Sequence, residues 1–190
     1  MPGSPTSLES PEFKTLRKVL LRLDEAKIPY MLTGSMALNF YGHPRATNDF
    51  DIVITIQRFQ KKNFVDLFQP DFYISEEAVE DAMTHHSLFN VIDNESIFKV
   101  DFIIKKNDIL SNQQFQRRSL KALGALNAYV ISPEDLILAK LEWSAESLSE
   151  MQERDIRGLL RLLSSALDHE YLEKWADHIG QLDRLRSLYA

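Results

Sequence analysis

LTGSMALNFYGHPRATNDFDIVITI, residues 32–56, holds a Gly-Ser pair, a short apolar run of helical character, and then two aspartates one residue apart. Asp49 and Asp51 open a β-branched run that reads as a strand over 49–56, the clearest strand pattern in the chain. Side chains alternate faces along a strand, so both carboxylates project to one side while Phe50 and Ile52 project to the other. Carboxylates about 6–7 Å apart on one strand disfavour each other's charge unless a cation lies between them. A chain this rich in Asp carries about one D-x-D by chance, so the pair alone reads first as a solvated strand end.

The surrounding chain narrows the choice. Its 190 residues, 44% apolar and 26% charged, suit one domain, or one domain with a small appendage. At this size folding buries roughly 70% of the extended chain's surface, so stability requires no disulfide or structural metal. The absence of cysteine excludes thiolate zinc sites and cysteine nucleophiles and fits a reducing cytoplasm, the expected location. No apolar run approaches the roughly 18 residues of a membrane span, so no membrane partner is expected. Residues 1–11, rich in Ser and Pro and without the order of a signal peptide, read as a disordered leader or an expression remnant. A net charge of −6 argues against a general nucleic-acid binder. Lys105, Lys106, Arg117, Arg118 and Lys121 read either as a local basic patch or as a solvated face.

Apolar spacing predicts helices over 13–26, 36–41, 58–68, 76–83 and 109–118. Short strands are expected at 30–32 and 72–74, with neighbouring strands at 86–92 and 97–105 across turn-forming Asp93-Asn94-Glu95-Ser96. Segments 119–123 and 128–131 could pair across Gly124. From Ser132 the character changes: an N-cap, Pro133 in the first turn and acids behind it open a helical tail with a break near 167–168. In that tail Trp143, Leu172, Trp175 and Ile179 read as packing between helices.

Three features raise the aspartate pair above chance. Gly34-Ser35 stands between a strand and a helix, where free N–H groups favour a phosphate and glycine lets an anion approach; the alternative is a plain turn and N-cap. Asp101 lies inside an apolar strand, where a lone acid needs a partner. It is preferred as the third carboxylate over Asp93, which lies in turn sequence. Arg45 and Thr47 precede the pair; Arg45 could reach a triphosphate or form a salt bridge to one of the aspartates. His85-His86, adjacent on an expected strand, would face opposite ways and so share no metal.

The order G-S, thirteen residues, D-x-D and a strand-borne third Asp resembles the nucleotidyltransferase superfamily of the polymerase-β type. GSMALNFYGHPRATNDFDIVI is similar to its small bacterial members related to the AbiEii toxins, and SPEDLILAKLEW, RDIRGLLRLL and LDHEYLEKWADHIG resemble the helical tail of that branch. The likeness spans about residues 14–185. It implies an α+β fold, a mixed sheet flanked by helices over 12–131 with a C-terminal helical bundle over 132–190. It implies Asp49, Asp51 and Asp101 as catalytic metal ligands for Mg²⁺, two ions, with Mn²⁺ as a substitute. Gly34 and Ser35 would grip phosphate, with Arg45 and Thr47 beside them, and Lys140 matches a lysine near the phosphates; read from its helix alone, Lys140 is equally a snorkelling surface lysine. Arg154-Asp155 matches part of an R-D motif, and Gly158 stands where those relatives often carry a second Asp. The implied activity moves a nucleoside monophosphate from an NTP to an acceptor hydroxyl on an RNA 3′ end, a protein or a small molecule such as an aminoglycoside. The alternative is a catalytically weak nucleotide-binding or regulatory protein, such as a toxin–antitoxin component.

Overall fold

The computed structural model describes residues 10–45, 47, 49–123, 125–147 and 149–189. Residues 1–9 of the expected leader lie outside these, but Ser10 and Pro11 belong to the fold. The Ser10 side chain caps helix α1 (Pro11–Glu25) by accepting from Phe13 N, and Pro11 sits in the first turn, where it forfeits no hydrogen bond. Leu16, Val19, Leu20 and Leu23, at helical spacing, form its buried stripe.

The chain continues through β1 (Tyr30–Leu32), α2 (Gly34–Asn39), β2 (Asp49–Ile54), a 3₁₀ turn (Arg58–Gln60), α3 (Lys61–Phe68), β3 (Phe72–Ile74) and α4 (Glu76–His85). Then follow β4 (Leu88–Asp93), β5 (Lys99–Ile104), α5 (Ile109–Arg117), β6 (Ser119–Leu123) and β7 (Leu126–Val130). The strands form one mixed sheet in the order β3-β4-β5-β2-β1-β7-β6, with β2–β5 and β1–β7 parallel and the other pairs antiparallel. The expected α+β architecture is present.

Two strands start later than their apolar runs. Ile97 takes φ +64° in the turn before β5 and is exposed, so that strand begins at Lys99 rather than at 97. His86 is a left-handed cap at the end of α4, so the His85-His86 pair terminates a helix and β4 begins only at Leu88. Segment 119–123 does pair antiparallel with its neighbour, which runs from Leu126 to Val130 rather than over 128–131; Gly124 between them lies outside the described residues.

Alternation sorts β2 into two faces. Phe50, Ile52 and Ile54 are fully buried, while Asp49, Asp51 and Val53 are half-buried on the other side. On the apolar face the Phe102 ring of β5 meets the rings of Phe64 and Phe68 from α3, each at 5.2 Å. Full burial of a ring of this size stabilises by roughly 1.5–3 kcal/mol. Asp93 joins this side of the molecule: buried at the end of β4, it accepts from Thr15 and pairs with Lys18 of α1. Burial alone would raise its pKa, but the Glu95 N–H, Thr15 and Lys18 together hold it below the usual carboxylate value.

The helical tail comprises α6 (Pro133–Ser147), α7 (Glu150–Leu163), α8 (His169–His178) and α9 (Leu182–Leu188). Ser132 Oγ accepts from Asp135 N at 3.1 Å, the expected cap, and Asp168 opens α8 at the expected break. Helix α6 packs against α7 and α8 and touches α2, which brings the tail to the carboxylate face of the sheet. Arg117 pairs with Glu134 and Asp135, Arg118 covers the Phe115 ring and Lys121 the Tyr41 ring. Those three members of the basic segment are therefore structural ties, neither a free patch nor a solvated face. Among the described residues no helix is long and apolar enough to cross a membrane.

Candidate functional site

Parallel pairing of β2 with β5 sets Asp51 beside Asp101 and Asp49 beside Lys99. Neighbours across a sheet share a face, so the three carboxylates come together opposite the Phe50–Phe102 core. Next to them, Thr33 N donates to the Asp51 carbonyl oxygen at 2.9 Å, and the chain turns through Gly34 at φ +62°. A Cβ on Gly34 would lie 1.8 Å from Asp51 Oδ2 and 2.6 Å from its Cγ. Position 34 thus needs glycine both for its backbone angle and for space. The anion that approaches this backbone is Asp51's own carboxylate.

Helix α2 starts at Gly34 rather than at 36 and has only six residues. Its dipole is small, so positive charge at this corner comes from side chains. Arg45 NH2 donates to Ser35 Oγ at 2.6 Å, and NH1 donates to Asp155 Oδ2 at 3.2 Å. Lys140 Nζ donates to the same Asp155 oxygen at 2.9 Å and to Gln152 Oε1 at 2.8 Å. His43 Nε2 stands 3.7 Å from Asp155 Oδ1. Asp155, 1% exposed, is therefore a buried hub of α7 that holds two cations toward the cleft.

This arrangement corrects two readings. Arg45 makes its ion pair with Asp155 and not with Asp49 or Asp51. Lys140 is 4% exposed, so it is no snorkelling surface lysine; burial holds its pKa below the usual lysine value, against the pull of Asp155. The glycine at 158 also acquires a cause, because a Cβ there would meet His43 Cε1 at 2.5 Å. The imidazole fills the space that a longer residue would take. Arg154 borders a neighbouring hollow with His43 and Met151.

Thr47 Oγ1 donates to Asp49 Oδ1 at 2.7 Å, so its hydroxyl fixes a carboxylate. Asp101 is buried; its Oδ2 receives Lys99 Nζ at 2.9 Å, and its buried Oδ1 has no hydrogen-bond partner among the described residues. Burial, and then the charges of Asp49 and Asp101, push the Asp51 pKa up to about 6, although Lys140 and Lys99 pull it back. The hydrogen bond to Asp101, with Asp49 and Asp51 nearby, raises that of Lys99.

These residues suit a hard divalent cation, for which carboxylate oxygens are the preferred protein ligands. Asp101 has a buried oxygen without a partner among the described residues, and Asp51 sits where burial, and then the neighbouring carboxylates, disfavour its charge. Among the described residues no three acidic or histidine side chains form a ready-made metal cage, so an ion would have to draw the carboxylates together.

Seven of the eight expected site residues line one cleft of about 270 Å³, and the eighth, Thr47, touches Asp49. Sequence reasoning missed several others. Trp143, expected in the helical core, is 55% exposed and walls the cleft opposite the sheet, with Leu88 also at its edge. Lys99 could have been found, because K-x-D puts it on the same strand face as Asp101. Gln152 and the hub role of Asp155 carry no local signal, since both depend on how α7 meets α6.

No family model matches the sequence, and neither does any curated protein. Solved structures do share its architecture. An antigenic nucleotidyltransferase-like protein from Paracoccidioides brasiliensis superposes with a TM-score of 0.54 at 20% identity, over 95% of this chain and 93% of that one. The crystal structure of ANT(2″)-Ia in complex with adenylyl-2″-tobramycin gives a TM-score of 0.56 at 13% identity, over 95% of this chain and 100% of that one. The solution structure of the antibiotic-resistance factor ANT(2″)-Ia gives 0.53 at 13% identity, over 93% and 91%. At such identities the likeness is one of fold, and the fold of this chain is that of the nucleotidyltransferases.

Proposed function

We propose that the protein transfers a nucleoside monophosphate from an NTP to an acceptor hydroxyl and releases pyrophosphate. One observation carries this reading: Asp49, Asp51 and Asp101 share a cleft with the Ser35–Arg45 pair and Lys140. Anionic groups suited to a cation thus face cationic groups suited to phosphate, which is the pairing a metal–nucleotide complex needs.

In the proposed reaction the acceptor oxygen attacks the α-phosphorus, and the bond from that phosphorus to the oxygen bridging to the β-phosphate breaks. Pyrophosphate carries the bonding pair away. Asp101 Oδ1, buried and without a hydrogen-bond partner among the described residues, is the proposed acceptor of the hydroxyl proton. Arg45 and Lys140, held by Asp155, steady the phosphates and offset the charge on the leaving group. Mg²⁺ held by Asp49, Asp51 and Asp101, two ions in the full reading and with Mn²⁺ as a substitute, would supply further charge neutralisation. Positioning and preorganised charge supply most of the acceleration in such transfers.

The acceptor class is a hydroxyl on an RNA 3′ end, a protein or a small molecule; the adenylylated tobramycin of ANT(2″)-Ia is one example from another protein of this fold. The resemblance of residues 34–54 makes the AbiEii-related branch the proposed one. A second reading, a catalytically weak nucleotide-binding or regulatory module such as a toxin–antitoxin component, is favoured by the Lys99 ammonium already bound to Asp101.

Incubation with α-labelled NTPs, a divalent cation and cell extract tests both. Wild-type protein should label an acceptor, and folded Asp51→Asn should lose at least about 100-fold of that activity. Transfer by Asp51→Asn at the wild-type rate would sink the mechanism. Stabilisation by nucleotide and metal together, with no label transferred by any preparation, would favour the second reading.

A further inference from the structure

We infer that Lys99 is the resident cation of the carboxylate cluster and competes with a divalent ion for Asp101. The inference rests on the reading of Asp49, Asp51 and Asp101 as metal ligands and adds a residue that this reading does not assign.

The geometry is specific to this strand. Lys99 and Asp101 lie two residues apart on β5, so both side chains leave the same face of the sheet. Lys99 is also the register neighbour of Asp49, which places it at the edge of the cluster with its side chain partly exposed. Its Nζ lies 2.9 Å from Asp101 Oδ2, while Asp101 Oδ1 remains buried without a partner among the described residues. One oxygen of the third carboxylate is thus held by a lysine, and the other is left to give.

Charge supports the same assignment. Lys140 and Arg45 share Asp155 as their anion, so their charge is already partly answered on the far side of the cleft. Lys99 has no acid other than Asp101 within ion-pair distance among the described residues. With Lys99 in place, three ionised carboxylates retain two uncompensated negative charges, which is what one divalent ion neutralises. An ion held by Asp51 and Asp101 would share Asp101 with the Lys99 ammonium, and like charges drawn to one carboxylate would repel at a half-buried site. Lys99 therefore steadies the cluster when no metal is bound and weakens the first ion's hold on it.

Lys99→Met keeps the length of the side chain and removes the charge; at 41% side-chain exposure the change is compatible with folding. Titration with Mn²⁺, followed by the electron-spin resonance of the free aqueous ion, reads affinity without any turnover. Lys99→Met should bind Mn²⁺ about tenfold more tightly than wild type. Adding Asp101→Asn should cancel that gain. In EDTA at pH 8, Lys99→Met should melt about 2–4 °C lower than wild type, and Lys99→Met/Asp101→Asn should recover the difference. Equal or weaker Mn²⁺ binding by Lys99→Met, or no coupling between the two positions in EDTA, overturns the role of Lys99. The nucleotidyl-transfer reading fails by a different result: the predicted Mn²⁺ and melting behaviour, with no nucleotide transferred to any acceptor.

Discussion

Gly34 and Gly42 share a backbone class and differ in what surrounds them, which makes them a matched pair. Their φ angles are +62° and +75°, but a Cβ at Gly34 would strike the Asp51 carboxylate, whereas at Gly42 it would meet nothing within 4 Å. Gly42→Ala should therefore cost only the left-handed backbone penalty, about 1–2 kcal/mol, and leave nucleotide transfer intact. Gly34→Ala must in addition displace Asp51 or the β1–α2 turn. It should cost more than about 3 kcal/mol in urea denaturation and abolish transfer. Equal losses at the two positions would show that Asp51 yields freely. The sequence made Gly34 visible as a turn glycine beside the aspartates. It could not show that the crowding group is Asp51, because that contact joins β2 to a turn fifteen or more residues earlier.

At the scale of elements, α7 acts on the cleft both through Gln152, which lines it, and through Asp155 behind it. Asp155 is the common anion for Arg45 and Lys140 and sits beside His43, so one carboxylate of α7 ties together the α2–β2 loop and α6. Removing it leaves a buried lysine without its counter-charge. Asp155→Ala should destabilise by about 3–5 kcal/mol, the usual penalty for breaking one side of a buried pair. Asp155→Asn keeps a hydrogen-bond acceptor and should cost less. In the surviving Asn protein Arg45 and Lys140 lose their alignment, so KM for the NTP should rise more than kcat falls. An unchanged KM would assign Asp155 to stability alone. What could be read beforehand follows the same division. The period of α1, the alternation of β2 and the Ser132 cap are local patterns and were legible, as was the G-S, D-x-D, Asp order. The register that sets Asp51 beside Asp101 needs a parallel crossover, and the grip of α7 on Arg45 is a contact 110 residues apart in sequence; neither leaves a local trace.

Across the whole molecule, the carboxylate cluster sets an unusual dependence of stability on pH. Asp51 carries a folded-state pKa of about 6 against an unfolded value near 3.8. The folded chain binds that proton more tightly, so this group's stabilising contribution is full below about pH 3.8 and is lost as pH rises through about 6. Burial raises Asp135 too, and its contribution runs in the same direction. Asp93 and Asp108 are held below the usual value, so their contributions are present above about pH 4 and fall away only in stronger acid. Between pH 7 and 5 the raised Asp51 carboxyl therefore sets the slope. In EDTA the protein should gain stability on acidification across that interval, by about 1.3 kcal/mol from Asp51, the rest of its shift being expressed only as pH falls further toward 3.8. Asp51→Asn should flatten most of the slope, because the amide has no proton to gain. Millimolar Mg²⁺ should flatten it from the other side by stabilising the ionised form at pH 7 while adding little at pH 5, where the proton and the metal compete for the same oxygens. Urea denaturation at the two pH values, with and without Mg²⁺, separates these effects. A metal-free protein that loses stability between pH 7 and 5 would mean that Asp51 is not held in the strained, charge-crowded state that makes the cleft receptive to a cation.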